Sequence, residues 1–171
     1  MTMDLLDVQL AEDGSLQPEV EDVPVAAMLE EVRRSVRARA RGIELGPIDP
    51  SLTVRADPDL LLRVLVNLVD NCIKYGPRDG RVSLQASRRG PYHARLSVQD
   101  EGPGVPPDLR ERIFEKYAQV ERHREGRSKG SRGLGLRFCK VVLDALEGRI
   151  WVEDAEPRGA CFCVELPIGD S

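Results

Sequence analysis

The chain has 171 residues, of which 41% are hydrophobic, and this is enough apolar material for one domain with a buried core. Its 29 acidic residues outnumber 25 basic ones, and the formal net charge of -4 excludes an overall basic surface for nucleic acid. No apolar run approaches the roughly 20 residues that cross a bilayer, and the first residues lack a signal-peptide pattern, so we expect a cytoplasmic protein.

The first half of the chain predicts a helix, two short strands and a second helix. Helical apolar spacing covers 1–16 weakly, as in the tail of a longer helix, and then about 24–40 strongly. Residues 43–45 and 52–56 predict a strand pair joined by a turn. The second helix begins at an N-cap, Asp57, followed by Pro in the first turn, and it ends at Gly76 and Pro77.

The second half predicts two hairpins with helices and a loop between them. Alternating residues in 81–87 and 93–100 indicate the first hairpin, and 149–154 with 160–166 the second. Between the hairpins come a short helical piece at about 107–117, a flexible loop, and a helix that starts just after Gly133 and ends at Gly148. This order predicts an α/β protein, a two-layer sandwich of one mixed, mostly antiparallel sheet covered by three helices.

The four cysteines show no C-x-x-C spacing. Cys161 and Cys163 alternate on one predicted strand and therefore face the same side, but no two further ligands lie nearby in the sequence. We expect all four, which include Cys72 and Cys139, to be reduced core thiols.

The second helix carries an unusual polar stripe. Its members Arg63, Asn67, Asp70, Asn71 and Lys74 fall on one face, at i, i+4, i+7, i+8 and i+11. A solvated face is the simple interpretation. However, exposed helix faces of this chain use Arg and Glu. Asn67 and Asn71 are the only two asparagines in the chain. An amide oxygen is a hard ligand that suits Mg²⁺, and a lysine one turn on suits phosphate.

Two glycine-containing segments add further signals. Asp100 ends a strand and opens D-E-G-P-G, which is either a plain turn or a place where backbone and carboxylate meet a ligand. In Ser131–Leu136, S-R-G-L-G-L, glycines lead directly into a helix, whose free N–H groups favour an anion such as phosphate. A metal ligand, a phosphate site and a base-recognising carboxylate together indicate ATP·Mg.

NLVDNCIKYGP, DEGPG, RIFEKYAQ and SRGLGL resemble, in this order, the N, G1, F and G2 boxes of the catalytic ATP-binding domain of bacterial sensor histidine kinases. The resemblance covers about residues 20–168. It implies the two-layer Bergerat ATP-binding fold, shared with gyrase B and Hsp90. It also implies that 1–19 are the remnant of a dimerisation helix and linker, and that 20–171 are the catalytic domain with a lid at about 119–132.

The resemblance also implies roles for the matched residues. Asn71 matches the magnesium ligand and Asn67 the first asparagine of the N box. Lys74 contacts phosphate, Tyr75 packs against the adenine, and Asp100 accepts a hydrogen bond from the adenine amino group. The remaining matches are Gly102 and Gly104 beside the pocket, Gly133, Leu134, Gly135 and Leu136 at the phosphates, and Phe114 and Tyr117 as aromatic anchors of the lid.

Some positions depart from the family's pattern. Ser131 stands where the G2 box usually has its first Gly, and the following Arg132 is either a phosphate contact or a solvated side chain. Neither His93, in a strand, nor His123, in the lid, lies in a sequence like that of a phosphoacceptor helix. The resemblance therefore implies a protein-histidine kinase domain whose acceptor histidine lies outside this chain.

The implied activity is transfer of the γ-phosphate of ATP to a histidine on a separate dimerisation domain, within a two-component phosphorelay that continues to a response regulator receiver domain. Asp70 would help to position or deprotonate that histidine, or would instead pair with the lysine one turn on. We expect an isolated monomer that contacts neither nucleic acid nor membrane. The alternatives are a pseudokinase that binds ATP without transfer and, less favoured because Asn67 replaces a catalytic Glu, a freestanding ATPase.

Overall fold

The computed structural model describes residues 16–36, 42–77, 80–115 and 135–169. Within these ranges the chain forms three α-helices, two single-turn 3-10 helices and seven strands. The helices are α1 (Val25–Val36), α2 (Pro58–Tyr75) and α3 (Gly135–Ala145), and the 3-10 turns are Pro107–Leu109 and Arg112–Phe114. The strands are β1 (Glu21–Pro24), β2 (Ile43–Leu45), β3 (Thr53–Ala56), β4 (Val82–Arg89), β5 (His93–Gln99), β6 (Arg149–Asp154) and β7 (Ala160–Pro167).

Five of the strands form one sheet in the order β2-β4-β5-β7-β6. Only the β2–β4 pair is parallel, and the other three pairs are antiparallel. Both predicted hairpins, β4–β5 and β6–β7, are confirmed. The expected α/β sandwich, with a mixed and mostly antiparallel sheet and three α-helices, is therefore confirmed over the part of the chain described.

The predicted pairing of 43–45 with 52–56 is wrong. β2 instead pairs with β4, and β3 pairs antiparallel with β1 in a separate two-stranded ribbon. β1 comes from a segment that the sequence indicated to be a polar link, because only Val23 of its four residues is buried. A strand with one buried residue has no alternation to detect, and its partner is chosen by the packing of the whole domain.

The two faces of the main sheet differ in composition. Alternate residues of β5 and β7, such as Leu96 and Val164, are fully buried beneath the helices in one continuous core. The intervening residues of β6 and β7 project to the other face, where Trp151, Cys161 and Cys163 form a small separate cluster with Ala155. All four cysteines are buried, as the sequence predicts, and no two of them form a disulfide in the described part of the chain.

Helix α2 is fixed at both ends by the predicted residues. The Asp57 carboxylate accepts hydrogen bonds from the backbone N–H groups of Asp59 and Leu60, at 3.0 and 3.1 Å. Such N-caps contribute about 1 kcal/mol. At the other end the Gly76 N–H donates to the Cys72 carbonyl at 2.8 Å. The helix therefore begins and ends at defined points.

Several expectations fall on other parts of the chain. The helix predicted within 1–16, the lid, Tyr117, Ser131 and His123 lie outside the described residues. Phe114 is described: it is buried, and its ring meets that of Phe162 edge to face with centroids 6.5 Å apart, so it packs in the core. His93 is an exposed residue at the start of β5. No helix in the described ranges has the length and apolarity needed to cross a membrane.

The β6–β7 turn supplies the first testable prediction. Gly159 has φ +108°, and a Cβ there would lie 2.0 Å from the Asp100 carbonyl oxygen, whereas Gly90 has φ +72° with nothing within 4 Å. We expect Gly90→Ala to lower the free energy of unfolding by about 1–2 kcal/mol, from backbone strain alone. Gly159→Ala should cost about 1–3 kcal/mol more, because it adds overpacking. Urea denaturation measures both, and equal losses would show that this turn moves away from Asp100 freely.

Candidate nucleotide site

Two buried hydrogen-bond donors on α2 have no acceptor among the described residues. The Nδ2 atom of Asn67 and the Nζ atom of Lys74 are hidden from solvent, and neither has a hydrogen-bond partner within the described ranges. Burial also lowers the pKa of Lys74 below its ordinary value, since the desolvated ammonium is destabilised. Unpaired buried donors are unusual and costly, so these two groups are available for an acceptor that the described residues do not supply.

The start of α3 faces the same stripe. A Cβ added to Gly135, the first residue of α3, would lie 3.5 Å from the Asn67 side-chain oxygen, so the helix N-terminus approaches α2 closely. The first N–H groups of a helix have no partner within the helix, and the helix dipole adds positive charge there. An oxyanion between α2 and the start of α3 would satisfy these groups together with the two unpaired donors.

Asp100 lies at the end of β5 and is 97% buried, with 3% of its surface exposed. One carboxylate oxygen, Oδ1, accepts hydrogen bonds from the backbone N–H groups of Gly102 and Ala160, both at 2.9 Å. The side chain thereby ties the glycine turn after β5 to the first residue of β7. A carboxylate held in this way is a fixed acceptor, which suits recognition of a donor on a base.

The glycine turn packs against the end of α2. A Cβ on Gly102 would lie 3.0 Å from the Tyr75 carbonyl oxygen and 3.2 Å from the Cα of Gly76. Gly104 has φ +81°, a left-handed conformation that L side chains rarely adopt. Glycine is therefore needed at both positions, once for space and once for backbone angle, and Tyr75 and Asp100 are brought to the same end of the site.

The structure thus brings together two groups of predicted residues. Asp100, Gly102 and Tyr75 lie at the C-terminal end of α2, and Gly104 follows in the same turn, against Gly159. Asn67, Asp70, Asn71 and Lys74 follow the half-buried polar stripe of α2 toward Gly135 and Leu136 at the start of α3. Arg63, at the far end of the stripe, places its guanidinium 4.5 Å from the Phe138 ring centroid of α3. Arg132, Gly133 and Leu134 lie outside the described residues.

Sequence reasoning missed the contribution of the β6–β7 turn. The Ala160 N–H holds Asp100, Gly159 leaves room for the Asp100 backbone, and the Arg158 Nε donates to the Gly102 carbonyl at 3.4 Å. These residues are almost 60 positions from the glycine turn. The R-G-A sequence between two predicted strands has no local signal beyond a turn, and only the strand register reveals the contact.

The fold and this arrangement define a nucleotide-binding α/β domain. The family of histidine kinase-, DNA gyrase B- and HSP90-like ATPases matches residues 56–170, and the chain belongs to this family. The resemblance to the ATP-binding domain of sensor histidine kinases is therefore confirmed, and membership of this family supports the binding of ATP.

Curated relatives point to the same group of proteins. The adaptive-response sensory kinase SasA of Trichormus variabilis is 35% identical over 172 residues, which cover 98% of this chain and 42% of that protein. The SasA of Rippkaea orientalis is 40% identical over 116 residues, 68% of this chain and 29% of that protein. The chain accordingly spans less than half the length of the curated relatives it matches.

Among solved structures, full-length ShkA in complex with AMPPNP superimposes with a TM-score of 0.82 at 30% identity. The match covers 98% of this chain and 35% of ShkA. Histidine kinase ThkA in complex with the response regulator protein TrrA gives a TM-score of 0.72 at 25% identity, over 95% of this chain and 46% of ThkA. Both are proteins that this chain resembles over part of their length.

Asp100 can be tested without disturbing the fold. In Asp100→Asn the amide oxygen can still accept from Gly102 and Ala160, but the amide nitrogen replaces the second carboxylate oxygen with a donor. The amide N–H donor of the variant would then face the N–H donor of the adenine amino group. Because an unsatisfied buried donor costs roughly 1–3 kcal/mol, we expect ATP to bind at least about tenfold more weakly in calorimetry. Asp154→Asn, at an exposed carboxylate paired with Arg110, is the control. Unchanged affinity in Asp100→Asn would place the adenine elsewhere.

We expect Lys74 to lower the stability of the nucleotide-free protein while strengthening ATP binding. Lys74→Met keeps the apolar stem and removes a desolvated charge, so the nucleotide-free protein should unfold at an unchanged or higher temperature. ATP affinity should fall about 10- to 100-fold, the contribution typical of a charged hydrogen bond. The control is Lys140→Met, at an exposed lysine of α3 paired with Asp144. Loss of stability in Lys74→Met with unchanged ATP affinity would contradict a role in phosphate binding.

Proposed function

We propose that this domain binds ATP·Mg and donates the γ-phosphate to a histidine on a separate dimerisation domain, as a protein-histidine kinase. The observation that carries the proposal is the pair of buried donors, Asn67 Nδ2 and Lys74 Nζ, which have no acceptor within the described ranges and lie on one stripe of α2, with Asn67 beside the N-terminus of α3. A phosphate chain supplies acceptor oxygens along this line. With the adenine at Asp100, the triphosphate would run along α2 toward Gly135.

The donor set fits a magnesium ion bound mainly through the nucleotide. Asn71 lies on α2 one turn after Asn67, and its amide oxygen is a hard ligand of the kind that Mg²⁺ accepts. Mg²⁺ usually takes one or two protein ligands together with phosphate oxygens and water. When bound, the ion neutralises charge on the phosphates. Asn71 is the residue that would hold it, and Lys74 would balance the charge that remains.

The residue at position 67 favours transfer to a protein over hydrolysis. In the ATP-hydrolysing relatives that the resemblance includes, a Glu at this position activates water. Asn67 has an amide, which does not take up a proton near neutral pH, so water at this place would not be activated. The neutral side chain is instead suited to bind a phosphate oxygen through its unpaired Nδ2.

The reaction itself needs positioning more than chemistry from the protein. A neutral imidazole nitrogen attacks the γ-phosphorus, the P–N bond forms as the bond to the β,γ-bridging oxygen breaks, and ADP leaves. The single N–H proton, on the other ring nitrogen, is then released, and Asp70, beside Asn71 on the same face of α2, would orient the histidine or accept this proton. The chain holds the donor, and the nucleophile comes from another domain.

The remaining assignments follow from this function. Residues 1–19 would end a dimerisation helix and linker, and 20–171 would form the catalytic domain with its lid at about 119–132. The acceptor histidine would belong to the same full-length protein or act in trans, and the phosphate would pass to a response regulator receiver domain. ThkA, which this chain resembles, forms such a complex with TrrA. We place the domain in the cytoplasm, as a monomer when isolated.

Phosphotransfer is tested by mixing the chain with ATP, Mg²⁺ and a purified dimerisation domain that carries the acceptor histidine. We expect phosphate that is stable in base and labile in acid on that domain, and none when its histidine is changed to glutamine. Asn71→Ala should still bind nucleotide, but this binding should no longer depend on Mg²⁺, and phosphotransfer should be lost. Tight ATP binding without phosphohistidine on the cognate domain would instead identify an ATP-binding pseudokinase or nucleotide-sensing module. Persistent Mg²⁺ dependence in Asn71→Ala would exclude this residue as the ligand.

A further inference from the structure

The sheet face opposite the helices carries a compact group of sulfur and carboxylate atoms. Cys161 and Cys163 are alternate residues of β7, and their Sγ atoms lie 3.6 Å apart. Glu153 is the direct partner of Cys161 in the β6–β7 register. The two sulfurs and a carboxylate oxygen all lie within 4.8 Å of one another, which makes this the one potential metal-binding cluster of three side chains in the described ranges.

We propose that Cys161, Cys163 and Glu153 form a binding site for one thiophilic divalent cation of the Zn²⁺ class, separate from the nucleotide site. Zinc–sulfur bonds of about 2.3 Å to both sulfurs at the present spacing give an S–Zn–S angle of about 103°, close to tetrahedral. Two thiolates with a carboxylate select zinc or cadmium over Mg²⁺ or Ca²⁺, which require oxygen ligands.

Strand geometry explains why the two thiols bridge an ion more readily than they bond to each other. Residues i and i+2 of an extended strand are separated by about 6.6–6.8 Å between Cα atoms, at the upper limit for a disulfide. The observed sulfur separation of 3.6 Å is far longer than an S–S bond of about 2.05 Å. An ion accepts this spacing without movement of β7.

Two further side chains suit the outer shell of such a site. The Arg95 guanidinium pairs with Glu153 and contacts the Cys163 sulfur at 2.9 Å, and the Trp151 Nε1 donates to the second Glu153 oxygen at 2.9 Å. Each carboxylate oxygen retains a lone pair for a metal. Two thiolates and one carboxylate are balanced by a divalent ion and the guanidinium, so the occupied site is neutral, as burial requires.

The site is reached through a cavity of about 330 Å³ on this sheet face. Its wall includes Cys161, Glu153, Arg95, Ser97 and Gln99, so an ion enters from the cavity and a water molecule there completes four-coordination. Binding exchanges two thiol protons for one cation, with no change in oxidation state. The sequence disfavoured a metal because two cysteines alone are too few. The third ligand comes from the neighbouring strand.

The test is zinc binding by the whole purified chain, measured by competition with a chromogenic chelator in excess Mg²⁺ at neutral pH. We expect one equivalent of zinc to be bound, and Co²⁺ used as a spectroscopic probe to give thiolate-to-metal charge-transfer absorption. Cys161→Ala and Cys163→Ala should each weaken zinc binding about 100-fold or more, and Glu153→Gln about 10-fold or more. The matched control is Cys72→Ala with Cys139→Ala, which removes the other two thiols.

Folding of each variant is checked by circular dichroism and by ATP binding, which does not use these residues. The Glu153→Gln change preserves the side-chain volume, and Glu153 is only partly buried. This variant therefore keeps the test valid if a cysteine variant unfolds. The proposal is overturned if the wild-type chain fails to compete with the chelator for zinc. It is also overturned if folded Cys161→Ala or Glu153→Gln binds zinc as tightly as the wild type.

Discussion

The unsatisfied donors on α2 are the constraint around which the nucleotide site is arranged. A buried ammonium and a buried amide N–H for which the described residues supply no acceptor cost free energy, and the pKa of Lys74 is lowered by the same burial. The apolar face of α2 offsets it: eight residues from Leu60 to Cys72 are buried in the core. The helix can thus hold Asn67 and Lys74 ready for a phosphate chain because its other face supplies enough stability to keep them there.

Asp100 plays the complementary part at the adenine end. Its two hydrogen bonds to Gly102 and Ala160 join the end of β5, the glycine turn and the start of β7, so the carboxylate that we propose to recognise the base also shapes the pocket. The close fit of Gly159 against the Asp100 backbone leaves no room for a side chain at position 159. In this proposal Asp100 contributes both to the stability of the fold and to recognition of the base. Lys74, in contrast, is expected to favour ATP binding while lowering the stability of the nucleotide-free protein.

The parts of the molecule that sequence reasoning predicted are those governed by local interactions. Asp57 caps α2 through residues two and three positions away, and the polar stripe follows from helical periodicity, so both were accessible from the sequence. The β1–β3 ribbon, the contact of Gly159 with Asp100, and the approach of Glu153 to Cys161 depend on register between distant segments. Local patterns contain no information on such pairings, and the strand pairing at 43–56 was wrong for this reason.

The two faces of the domain offer ligand atoms of different chemistry to a cation. The helix face offers amide oxygen, phosphate oxygens supplied by the nucleotide, and an ammonium group, which together suit a small hard ion. The opposite face offers two sulfurs, a carboxylate and a guanidinium, which suit a soft or borderline ion. The two proposed sites therefore differ in the type of ligand atom that they offer to a cation. Millimolar Mg²⁺ would not occupy the thiol cluster, because replacing its water with sulfur is unfavourable, and zinc held by Cys161 and Cys163 would be kept away from the nucleotide phosphates.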